Sequence, residues 1–165
     1  MDPMHAMECL VLGCGNPLLG DDGFGPAVVE YLESHCQPPP GVACVDAGTA
    51  VRDILFDLLL SEAKPRRIIV VDAADEPGRS PGEIFEIHVD RISPAKICDF
   101  SLHQFPTTNM LKEIHEGTSI DVRVLVAQVA SIPSEVAPGL SKPVTEAIPL
   151  MCQRIMEIVN ESRGG

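Results

Sequence analysis

Strand-like apolar runs alternate with helix-like amphipathic stretches along almost the whole chain, and this alternation restricts the fold more than any other feature. The clearest run is RRIIVVDAAD, residues 66–75. Four β-branched side chains in succession, Ile68 to Val71, are bounded by polar ones, as in a strand buried on both faces. CLVLG (9–13), VACVDAGT (42–49) and DVRVLVAQVA (121–130) read as further strands, and GEIFEIHV (82–89) as another after a Pro/Gly-rich turn. Between them, GPAVVEYLESH (25–35) places Val28, Val29 and Leu32 on one helical face. VRDILFDLLLSEA (51–63) does the same with Ile54, Leu55, Leu58 and Leu59. QPPPGV (37–42) is a connector, because consecutive prolines cannot continue a helix. A third helix is predicted from about Thr107 to Gly117. A closing helix is predicted over 141–162, with Pro143 near its first turn and Pro149 either kinking it or marking a later start.

The order β-α-β-α-β-β-α-β-α predicts a three-layer α/β/α sandwich. Its sheet is mostly parallel and twisted, of about five strands, one of them antiparallel. The length suits one domain, residues 1–165, with a core over about 8–161, and there is neither internal repeat nor low-complexity segment. A hydrophobic fraction of 45% is enough to build a real core. No apolar run reaches the roughly 18 residues of a membrane span, and the opening MDPMHAMECLVLG is not a signal peptide. A cytoplasmic protein is expected. Twenty-four acidic residues against 12 basic ones give a net charge of −12, which argues against a nucleic-acid groove and an anionic membrane surface. The charge is accounted for equally by solubility and by a neutral, cationic or metal-bearing partner. The six cysteines (Cys9, Cys14, Cys36, Cys44, Cys98 and Cys152) form no C-x-x-C and no zinc spacing, so they read as reduced thiols. Cys14, between Gly13 and Gly15, reads as a small residue in a tight turn.

The stretch LVLGCGNPLLGDDGFGPAVVEYL (10–32) runs from the first strand through a glycine-containing loop into a helix, the layout of a phosphate cradle. The dinucleotide fingerprint is nevertheless missing, because Gly13-Cys14-Gly15 is followed by Asn16, Pro17 and Leu18. Asp21 and Asp22 stand where the phosphate would lie and would repel it. One aspartate suffices to cap a helix, so the second is surplus. Ligands of open α/β sheets bind outside the carboxyl ends of the strands. Asp46 after the second strand and Asp72 after the third fall at that same edge. Converging carboxylates raise one another's pKa unless something positive is present, and a metal ion is the usual remedy. A phosphoacceptor receiver domain also carries an acidic pair and a later aspartate, around Mg²⁺. Here the pair follows the long loop GNPLLG instead of a strand end, and no lysine closes the last strand. His103 precedes the third helix in SLHQ. Alone it reads as a solvated or hydrogen-bonded side chain; joined to two carboxylates it would complete a transition-metal donor set.

Taken together, LVLGCGNPLLGDDGFG, VDAGT, VVDAAD and SLHQ, in this order, resemble the signatures of the nickel–iron hydrogenase maturation proteases. The resemblance runs from about Glu8 to the final helix. It implies a single endoproteolytic cut that removes the C-terminal extension of a hydrogenase large-subunit precursor after nickel insertion, with the nickel as recognition element. It also implies a peptidase of aspartic or metal-dependent type. The family's three metal ligands map onto Asp22, Asp72 and His103. Many members carry glutamate where this chain has the shorter Asp22. Asp46 maps onto a position near the cleft that matters for activity without being a ligand. Asp21 is then expected to cap the helix or support the loop. The implied partner is the large-subunit precursor, the implied metal is nickel carried by that substrate, and the free enzyme is expected to be a metal-free monomer. The groove for the substrate tail is expected to involve 97–105 and the loop around Thr49. Two alternatives remain open: a non-cutting chaperone or binding module for the precursor, and the receiver-like phosphoacceptor. The absence of G-x-S-x-G and H-E-x-x-H argues against a serine hydrolase and an ordinary zincin.

Overall fold

Ile68 to Val71 lie at the centre of the molecule, buried on both faces of a five-stranded sheet, as the run of β-branched residues requires. The computed structural model describes residues 7–89 and 105–163. Its strands are β1 (Cys9–Cys14), β2 (Val42–Gly48), β3 (Arg67–Ala74), β4 (Ile84–Ile87) and β5 (Asp121–Gln128). Their order across the sheet is β2-β1-β3-β5-β4. All neighbours are parallel except β4, which runs antiparallel to β5 at one edge. The helices are α1 (Phe24–Tyr31), α2 (Val51–Leu60), α3 (Phe105–Gly117) and α4 (Lys142–Arg163). The three-layer arrangement follows from strand alternation. Val11, Ile69, Val71 and Leu125 face one way, onto Phe24 and Val28 of α1 and Met151 and Ile155 of α4. Leu10, Leu12, Ile68 and Val70 face the other way, onto Leu55 of α2 and Leu111 and Ile114 of α3. Among the described residues, no helix is long and apolar enough to cross a membrane.

The structure departs from or decides the sequence reading at the end of α1 and at Pro149. α1 stops as an α-helix at Tyr31 and widens into a π-helical turn, Leu32–Cys36, which ends at Gln37 in a left-handed conformation (φ 46°). Tyr31 and His35 stack across that turn with ring centroids 4.3 Å apart. Pro149 does not mark a later start, because α4 runs from Lys142 through it to Arg163. The carbonyl that a proline deprives of its partner is that of Thr145, and both residues are exposed, so water serves it. Pro143 falls in the first turn, where N–H groups have no intrahelical partner to lose. The five described cysteines are free thiols. Burial pushes Cys9 and Cys44 up to about 11 and Cys152 up to about 12, which keeps them protonated.

From β1 the chain moves outward to β2 and then crosses back to β3, so the direction of travel reverses between β1 and β3. A crevice opens at such a reversal, outside the carboxyl ends of the strands. α1 enters this crevice at very short range. A methyl group placed on Gly25 would lie 2.5 Å from both Cys14 N and Val71 O, atoms of β1 and β3 that cannot yield. Gly25→Ala is therefore expected to lower stability by about 3 kcal/mol, measured by urea denaturation.

Candidate functional site at the carboxyl edge

The loop after β1 is pulled tight against itself. Gly15 has φ +137°, and any side chain there would run into the carbonyl oxygen of Asp22. The chain then makes a 3₁₀ turn, Gly20–Gly23, which presents Asp21 and Asp22 in opposite directions although both are only 2% exposed. Asp22 Oδ2 accepts a 3.0 Å hydrogen bond from the Asn16 N–H, which fixes the carboxylate inside its own loop. The Asn16 side chain accepts in turn from the Leu18 N–H at 3.0 Å.

Asp21 faces the other way and supports the loop; α1 has no side-chain cap. Its oxygens accept from the Ala130 N–H at 2.9 Å, the Ser141 N–H at 2.6 Å and the Ser141 hydroxyl at 2.9 Å. Ser141 immediately precedes α4, so the carboxylate also lies at the favourable end of that helix's dipole. Two further backbone bonds, Gly20 N–H to Ala137 O at 2.9 Å and Ala137 N–H to Leu18 O at 2.8 Å, join the same two loops.

Asp72 lies two residues before the end of β3, rather than after the strand as the sequence predicts, beside Val126 of β5, and its Oδ1 accepts from the Ala73 N–H at 2.8 Å. Burial drives its carboxyl well above the usual range. The Ala73 N–H opposes this, and the negative charge of Asp22 adds to it. Asp46 of β2 lies opposite Gly13 in the register, is exposed, and accepts from the Gly48 N–H at 3.0 Å. Cys14 lies between these strand ends. Its thiol is raised well above its ordinary value by burial first, then by Asp72 and Asp46. A thiol so placed stays protonated and is no nucleophile. The fold thus brings Asp22 close to Asp72, and brings Asp72 and Asp46 to either side of Cys14. His103 lies outside the described residues, as does most of the expected tail segment 97–105. Among the described residues no three His, Cys, Asp or Glu side chains form a metal-binding cluster. The donor chemistry nevertheless fits a cation: the charge of Asp22 raises the proton affinity of Asp72, and positive charge between the two would relieve it.

The sequence reading missed two supporting residues. Ser141 is one. Gln128 is the other: its amide donates to Asp75 Oδ1 at 2.9 Å and its carbonyl accepts from the Glu76 N–H at 2.8 Å, tying the loop after β3 to the end of β5. The available signal was a lone polar residue in the apolar run VLVAQVA.

A doubly wound sheet with buried carboxylates at its switch point defines a class of α/β proteins that act at the carboxyl edge. Residues 26–158 match the family model described as hydrogenase maturation protease, and the chain belongs to that family. It is 36% identical over 160 residues to the coenzyme F420 hydrogenase subunit delta of Methanothermobacter thermautotrophicus, covering 94% of this chain and 97% of that one. It is 28% identical over 149 residues to the hydrogenase 3 maturation protease of Escherichia coli K12, covering 90% and 89%. The solved structure of the hydrogenase maturating endopeptidase HybD from E. coli superposes with a TM-score of 0.72 at 29% identity, covering 94% of each chain. The family assignment makes the chain a peptidase of hydrogenase maturation.

Two variants separate the twin aspartates. Asp21→Ala strands the Ala130 and Ser141 donors and is expected to cost about 3 kcal/mol of stability, read by urea denaturation. Asp72→Asn is expected to raise the thermal midpoint of the metal-free protein at pH 7. The folded carboxyl has a higher pKa than the unfolded one, so its ionisation penalty grows as pH rises from the unfolded to the folded value. Below about pH 4 both states of the wild type are protonated, and the advantage of the variant should vanish there.

Proposed function

We propose that this protein removes the C-terminal extension of a nickel–iron hydrogenase large-subunit precursor after nickel insertion, and that it recognises the precursor through the nickel it carries. The observation that carries this reading is the approach of the buried Asp22 to the half-buried Asp72, whose carboxyl is pushed up by burial and by the charge of Asp22. Asp22, Asp72 and His103 hold the precursor's nickel, which positions the adjoining peptide bond. Asp22 suits this role because its loop fixes it through Asn16 before substrate arrives. Asp46 is the general base: it is exposed, held by the Gly48 N–H and stands at the mouth of the crevice. It takes a proton from water as the oxygen adds to the scissile carbonyl, and the proton then passes to the departing amine. Cys14 remains a neutral floor beneath the reacting groups.

The test is the intact mass of a nickel-loaded precursor before and after incubation with the protein. The expected result is loss of one C-terminal peptide, with no loss from nickel-free precursor. Co-elution of an uncut precursor with the protein would instead establish the chaperone reading. His103→Ala is expected to abolish cutting while the thermal midpoint stays unchanged; retained cutting would remove His103 from the ligand set.

A further inference from the structure

A second concavity adjoins the acidic crevice. It is a groove of about 470 Å³ along the outer side of α1, and its walls include Pro17, Pro26, Val29 and Leu140. Three carboxylates, Glu30, Glu33 and Asp46, lie along it, and among the described residues lining it there is no lysine or arginine. Glu30 and Glu33 are both exposed and one helical turn apart, so they repel each other in the free protein. Asp46 lines the groove and also acts, with Asp72, on Cys14 at the end of β1, so the groove reaches the carboxyl edge of the sheet. The outer wall is built by the two loops that Asp21 ties together, and these loops also expose Leu18 (51%) and Val136 (69%). An apolar trough with negative charge and no positive charge complements one kind of chain. That chain carries lysine or arginine, whose methylene stems pack on apolar walls while the charged ends meet carboxylates.

We propose that this groove binds a basic, partly apolar segment of the protein substrate and leads it past Asp46 into the crevice; this rests on the endopeptidase reading given above. The groove then selects the substrate by charge, independently of the grip on its metal.

Two measurements test it. The first is fluorescence anisotropy with a labelled nine-residue peptide containing three lysines and three leucines, and with a counterpart in which glutamates replace the lysines. The basic peptide is expected to bind at least tenfold more tightly, and less tightly as salt is added. Glu30→Lys/Glu33→Lys should abolish that preference. Glu113→Lys/Glu116→Lys, which makes the same charge change on the exposed side of α3, should retain it. Equal binding of the two peptides, or equal effects of the two double variants, overturns the proposal. The second measurement is cleavage of the nickel-loaded precursor. Glu30→Lys/Glu33→Lys should raise KM at least tenfold with kcat retained, and an unchanged KM overturns the proposal. If the wild type cuts nothing, the endopeptidase reading falls, while the peptide preference still decides the groove. Sedimentation of the protein alone adds one more outcome. A dimer that Glu30→Lys/Glu33→Lys dissolves would assign the groove to a second copy and overturn the proposal.

Discussion

The helix after the first strand meets the sheet backbone to backbone, and the geometry of the carboxyl edge descends from that contact. Gly25 leaves no side chain between α1 and the main chain of Cys14 and Val71. The linking loop must therefore close within a short span, which it does by folding Asp22 back over Gly15 and under the Asn16 N–H. Asp22 is thereby buried within reach of the charge on Asp72. Charges that would be screened in water act strongly in such a setting.

Two adjacent aspartates with equal burial do opposite work. Asp21 is surrounded by donors, and its charge is spent on holding two distant loops together. Asp22 has Asn16 as a donor and a second carboxylate in view. A buried carboxylate that receives several donors is settled, whereas one facing a like charge gains from a cation. The division arises from the 3₁₀ turn, whose tight winding sends successive side chains to different sides.

Much of this was legible beforehand. The β-branched run at 68–71 and the apolar run of β1 declared themselves as buried strands, and the aspartates expected just after β2 and β3 lie near the ends of those strands, at the carboxyl edge of a mostly parallel sheet. Helical spacing found α1 and α2: Val28, Val29, Leu55 and Leu58 are buried as the pattern expects, while Ile54 and Leu59 are half-buried and the buried Val51 was not selected. What was not legible depends on chain separation. The bonds between Asp21 and Ser141 span 120 residues and leave no trace in local periodicity. The continuity of α4 through Pro149 depends on which side of the helix faces solvent, a tertiary fact. The π-helical turn after α1 keeps an apolar spacing close enough to that of an α-helix to be read as one. Gln128 was hidden inside an apolar run, where its task became visible only with Asp75 and Glu76 beside it.

The tie between Asp21 and Ser141 has a consequence for the protein's manufacture. A ribosome that has released the first 130 residues has delivered all five strands and Asp22, Asp46 and Asp72. It has not yet delivered Ser141 or the helix behind it, so Asp21 still lacks most of its donors. The ties that Ser141 makes to Asp21 form only after the helix behind it is made and docked. A half-made chain thus has the carboxylates of the edge but only one of the three donors that hold Asp21.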